Sequence, residues 1–158
     1  LSLSEQISEK TCRREYLALC DGIFKEDAGR VETYIGRSPA DRTKMAVVPK
    51  EKGRYAATNF EVVRRFAAGY TLVRFRLETG RTHQIRVHCK HLGHPIVGDP
   101  VYGSKKQKFK LNGQLLHACR LELTHPKTGE RMAFEAPLPA YFSEVLEKLE
   151  REENGRAR

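Results

Sequence analysis

Residues 70–103 read YTLVRFRLETGRTHQIRVHCKHLGHPIVGDPVYG, a strand, a sharp turn, a short helix and an ordered loop. Thr71, Val73, Phe75 and Leu77 fall on one side of the first segment, and Leu72, Arg74, Arg76 and Glu78 on the other. That period of two is the mark of a half-buried strand. Thr79-Gly80 interrupts it, and Thr82 is placed to cap a helix whose Ile85, Cys89 and Leu92 recur at i, i+4, i+7. Gly93 then sits where a left-handed terminating residue is wanted, and Pro95 forbids continuation. Arg81, Arg86, His83, His88 and His91 crowd into this one short element. Such a density of charge and hydrogen-bonding groups marks more than a core helix.

Working outward, REYLALCDG sets Tyr16, Ala18 and Cys20 against Leu17 and Leu19, so the spacing predicts a strand apolar on both sides and ended by Gly22. Before it, LSLSEQISEK suggests a helix carrying Leu3, Ile7 and Cys12 on one side. GRVETYIGRSPADRTKMAVV predicts a short strand, a Ser-Pro turn and a second strand from about Lys44. Arg37, Asp41, Arg42 and Lys44 form a charged loop between them. It reads either as a contact for a phosphate backbone or as a solvated turn. Tyr55–Phe66 resumes the strand pattern with Ala57, Phe60, Val62 and Val63 as apolar contacts. The Lys-rich run SKKQKFKLNGQ leads into two strands joined at Pro126-Lys127-Thr128-Gly129, a hairpin signal. Phe142, Val145, Leu146 and Leu149, spaced i, i+3, i+4, i+7, predict a closing amphipathic helix. The expected class is α+β, a mixed, largely antiparallel sheet with a few flanking helices.

The 158 residues suit a single domain, or one lobe of a larger one, with 39% apolar residues to build a core. Lysine and arginine number 29 against 20 acidic residues, a net charge of +9, which favours a polyanionic partner over a neutral metabolite. Cys12, Cys20, Cys89 and Cys119 form no CxxC pair and lie in apolar segments, where a free thiol packs as a small hydrophobe. The expected compartment is the cytosol, without disulfides or a membrane span. His83, His88, His91 and His94 with Cys89 offer ligands for zinc, but His83 lies on another helical face and His94 beyond the helix end, so no metal is expected.

LETGRTHQIRVHCKHLGHPIVGDPVYG resembles a motif of the RluA/RluD-type RNA pseudouridine synthases. RREYLALCDG resembles their active-site tyrosine strand, and LLHACRLELTHPKTGERMAFEAPLP their C-terminal strands. The resemblance runs from about Lys10 to Leu149. It implies a cofactor-free isomerase that converts uridine to pseudouridine in structured RNA; ribosomal RNA is expected before transfer RNA, and a monomer is expected. In that chemistry an aspartate attacks the nucleoside, the glycosidic bond breaks, the base turns, and C5 rejoins the sugar. By the same resemblance, Tyr16 packs on the base and is placed to take the C5 proton, and Arg86 pairs with the catalytic carboxylate. A bidentate guanidinium suits that task. Arg81, His83, Arg37, Arg42 and Lys44 are the expected RNA contacts. The family's nucleophile lies in an Arg-Leu-Asp motif absent from this sequence, where Asp21, Asp27, Asp41 and Asp99 are the only aspartates. The chain is therefore expected to be the C-terminal portion of a catalytic domain and inactive alone. The alternative is a non-catalytic RNA-binding module using the same basic face.

Overall fold

The computed structural model describes residues 2, 3, 5, 12–106 and 108–156. Seven strands, β1 (Arg13–Asp21), β2 (Ala28–Arg37), β3 (Met45–Val47), β4 (Arg54–Phe66), β5 (Tyr70–Leu77), β6 (Leu116–Thr124) and β7 (Arg131–Glu135), accompany two helices, α1 (Gln84–His91) and α2 (Ala140–Arg156). The strands form one sheet in the order β3-β2-β4-β5-β1-β6-β7, antiparallel at every step, so the α+β expectation holds. Gly69 at φ 100° and Gly129 at φ 72° close the β4–β5 and β6–β7 turns.

The two-sided burial predicted for β1 is realised in its second half. Leu19 joins Phe66, Leu72, Val97 and Leu115 under Phe142, Val145 and Leu149 of α2. Ala18 and Cys20 join Val73, Phe75 and Ile96 under Ile85 and Cys89 of α1. One sheet thus carries a helix on each face, each laying down the apolar stripe its spacing requires. The face shared with α2 opens at its other end into a charged groove that includes Glu15, Arg74, Arg76 and Arg120.

Two local expectations change. The register passes from Val62↔Val73 to Arg64↔Leu72, and the intervening Val63 turns outward, 44% exposed, so it supplies no core contact. His83, not Thr82, is the residue before α1; it has left-handed backbone (φ 56°, ψ 24°) and makes no side-chain cap. The helix start is held instead by Gln84, whose Oε1 accepts from Arg81 N–H and the Thr79 hydroxyl. Gly93 ends the helix at φ 82° as expected. In the N-terminal segment Leu3 is exposed, and Ile7 lies outside the described residues.

All four cysteines are free. The Cys20 and Cys89 sulfurs lie 3.9 Å apart in the core, and burial raises the Cys20 thiol well above its ordinary value. Among the described residues no helix is long and apolar enough to cross a membrane.

Candidate active site and nucleic-acid interface

The GRTHQIRVH segment places its polar side chains on opposite sides of α1. Gln84 donates from Nε2 to the Ala57 carbonyl and to Thr58 Oγ1, anchoring the first turn on β4. His88 is wholly buried between Thr33 Oγ1, 2.7 Å from Nε2, and Thr58 Oγ1, 2.8 Å from Nδ1. Burial, and then the charge of His91, push its pKa down to about 4, so the ring is neutral near pH 7 and serves the core. His91, three residues further on, is exposed.

Arg86 is the buried cation of the element, only 9% exposed. Its Nε donates to Asp99 Oδ2 at 2.8 Å and its Nη2 to Asp99 Oδ1 at 2.9 Å, a bidentate fork. Asp99 Oδ1 also accepts the backbone N–H groups of Val101 and Tyr102. Burial alone would raise the Asp99 pKa, but the Arg86 fork and these two N–H groups hold it below the usual carboxylate range. The Asp99 bond in turn raises the Arg86 pKa, and the guanidinium lies 5.1 Å from the centroid of the Tyr102 ring. Among the described residues Nη1 makes no hydrogen bond, so the fork fixes the group and leaves one nitrogen to offer. Arg86 therefore has a carboxylate partner within the chain. The residues alone gave Asp99 no such role, although it sits in the VGD turn of the same long motif.

Tyr16 is half-buried beside a register shift in β1, between Phe75 of β5 and Ala118 of β6. It packs against the cluster that contains Ile85, so the phenol lies on the sheet face that α1 covers. Its hydroxyl makes no hydrogen bond among the described residues.

The predicted RNA contacts gather at one end of the sheet. Antiparallel register brings the C-terminal end of β2 (Arg37), the start of β4 (Arg54), the end of β5 and the start of β1 to the same side. The loop from 38 to 44 is internally tied. Asp41 Oδ1 accepts from the backbone and hydroxyl of Thr43, and Arg37 donates to the Arg42 carbonyl at 3.1 Å. Arg37 and Arg42 stay exposed. Arg81 reaches back to the Tyr55 carbonyl at 2.8 Å, and burial, then the charge of Arg54, lower its pKa. His83 bonds the Tyr102 hydroxyl, 2.8 Å from Nδ1, and that hydroxyl accepts the Met45 N–H. Tyr102 thus links the start of α1 to the strand that follows Lys44. Arg14, whose guanidinium lies over Gly80, and Arg54 extend the same basic end. The sequence hid both, because they sit in ordinary strand positions and only cross-strand register assembles them. Among the described residues, no three histidine, cysteine or acidic side chains are grouped to hold a metal.

The comparisons agree with this geometry. The chain superposes on a solved structure of human RNA Pseudouridylate Synthase Domain Containing 1 with a TM-score of 0.73 and 26% identity, over 93% of this chain and 69% of that one. The pattern of the RNA pseudouridylate synthase family matches residues 1–91, and the chain belongs to that family. It is 47% identical over 148 residues to the uncharacterized RNA pseudouridine synthase YlyB of Bacillus subtilis, across 94% of this chain and 48% of that protein. It is 46% identical over 158 residues to the ribosomal large subunit pseudouridine synthase D of Neisseria meningitidis, across 94% of this chain and 41% of that protein. The chain spans about half the length of the curated relatives it matches.

Proposed function

We propose that this chain is the arginine-bearing portion of a catalytic domain that isomerises uridine to pseudouridine in structured RNA, ribosomal RNA in preference to transfer RNA, in the cytosol and as a monomer. The observation that carries this reading is the buried Arg86–Asp99 fork, which holds a preset guanidinium on α1, the helix that covers the sheet face bearing Tyr16. A fixed fork needs little reorganisation when charge develops on a neighbouring group, which is how a preorganised site lowers a barrier. Tyr16 packs on the flipped uracil and takes the C5 proton. The basic end of the sheet, with Arg37, Arg42, Lys44, Arg81 and His83, holds the RNA backbone while the target leaves its stack, a displacement costing a few kcal/mol.

The nucleophilic aspartate lies outside these 158 residues. Each aspartate present is committed or remote. Asp99 is consumed by Arg86 and two N–H groups, Asp27 pairs with Arg65 at the surface, Asp41 ties its own loop, and Asp21 closes the far end of β1.

Release of tritium from [5-³H]uridine-labelled ribosomal RNA tests the reading. The 158-residue chain is expected to release none above background, and the chain extended to the length of its relatives to turn over. Tyr16→Phe in the extended protein is expected to abolish release while leaving RNA affinity nearly intact. Loss of affinity alone would instead favour a binding module, and release by the short chain would place the nucleophile within it.

A further inference from the structure

We propose that the cleft between the edge strand β3 and α1 is a nucleobase subsite, taking an unpaired base of the RNA that lies near the target. The inference rests on the RNA reading above and extends it to a place no motif residue marks. Met45, Ala46 and Val47 form one wall, Val87 and Tyr102 the floor, and Lys90 and His91 the outer lip. Its volume of about 220 Å³ falls below the roughly 300–1,000 Å³ of a site for a drug-sized ligand, so it suits one heterocycle with the sugar and phosphate left outside.

Three features select a base over another apolar guest. The interior is apolar, with Val87 and the largely buried Tyr102 ring at its base, so a heterocycle that has left its stack is shielded from water there. The lip is cationic, with Lys90 exposed on α1, and the exposed Arg37 of β2 lies opposite Met45 in the strand pair behind the β3 wall. A phosphodiester on either side of the base would meet positive charge at both ends. The cleft is also preset. The Tyr102 hydroxyl accepts the Met45 N–H at 3.0 Å and bonds His83, so the strand that forms the wall is tied to the helix start. Val47, at the terminal strand of the sheet, is 36% exposed and open to a ligand approaching from that side.

The test uses the 158-residue chain with a single-stranded oligoribonucleotide carrying one 4-thiouridine, and the same sequence as a blunt duplex. Irradiation is expected to crosslink the single strand to peptides containing 45–47 or 87–91, and the duplex much less. Val47→Trp, which fills the cleft from its open side, is expected to weaken single-strand binding about fivefold, roughly 1 kcal/mol, with duplex binding unchanged. Lys90→Glu, on the exposed lip, is expected to weaken the single strand in the same direction and serves where Val47→Trp fails to fold. Crosslinks confined to other peptides, or unchanged single-strand affinity in a folded variant, would overturn the subsite. If binding is then still lost on Arg42→Glu, the RNA reading survives without it. If Arg42→Glu binds as the parent does, the RNA reading falls as well.

Discussion

The two buried charge-bearing side chains of α1 illustrate how neighbours in sequence acquire opposite tasks. His88 is enclosed by two threonine hydroxyls and kept neutral, whereas Arg86, one half-turn away, is kept charged by a carboxylate from the following loop. The histidine makes a pH prediction whose sign is fixed. Its folded pKa of about 4 lies below its unfolded value near 6.5, so its contribution is fully present above about pH 6.5 and is lost as pH falls toward 4. Between pH 7 and pH 5 that amounts to about 2 kcal/mol. Chemical denaturation of the chain at the two pH values should show a loss of that order. His88→Gln, which can still bond both threonines, should flatten most of it. His83, whose pKa burial and Arg86 also lower, adds a slope of the same sign. An unchanged slope in His88→Gln would remove the buried ring from the account. At this scale the sequence named Arg86 and Tyr16 as candidates, but not the carboxylate that holds the arginine. Asp99 lies 13 positions away, and helical periodicity says nothing about which loop residue folds back onto a helix.

At the scale of the element, the loop from Ile96 to Gly103 matters as much as the helix, because it delivers Asp99. Gly98 has φ 80°, and a Cβ there would stand 2.5 Å from the Gly113 carbonyl oxygen. Gly93 has nearly the same φ, 82°, with no atom within 4 Å of an added Cβ. Replacing each by alanine separates conformational strain from steric collision. Gly93→Ala should cost about 1–2 kcal/mol, the left-handed penalty alone. Gly98→Ala should cost about 1–3 kcal/mol more, since backbone must move. Thermal melting of the two variants checks the difference, and equal losses would mean that the loop yields freely and does not aim Asp99. The existence of β1, β4, β5, α1 and α2 was legible from periodicity, because each alternates or repeats against an apolar layer, on both faces in the case of β1. The helix start was misread at Thr82, since a left-handed His83 intervenes and Gln84 Oε1 ties down the preceding turn by accepting from Thr79 and Arg81. Val63 was misread because a register shift does not show in a run of valines.

For the whole molecule, composition carried the argument to a polyanionic partner, and topology shows where the charge is spent. Cross-strand register gathers Arg14, Arg37 and Arg54 at one end of the sheet, where Arg81 joins them from the turn before α1, while Arg65, Arg76 and Arg120 are paired with acidic residues. Affinity for single-stranded RNA should therefore fall with salt. The double change Arg42→Glu, Lys44→Glu should lower the slope of log K against log salt by about 1.4, two phosphate contacts at roughly 0.7 each. A slope that does not change would move the RNA to another face. The class of fold was readable from strand count and hairpin signals. The order β3-β2-β4-β5-β1-β6-β7 was not, because it depends on the long return of the chain from α1 to β6 beside β1.

The claim on which all of this turns is that Arg86 acts as a fixed fork and not merely as a positive charge. Arg86→Lys, in the protein extended to the length of its relatives, separates the two, because lysine keeps the charge and loses the bidentate geometry. Single-turnover tritium release at saturating RNA is predicted to fall about 100-fold, the order expected when a catalytic group is displaced by about 1 Å, with RNA affinity within about twofold of the parent. A lysine variant that isomerises uridine at the parental rate would contradict the account.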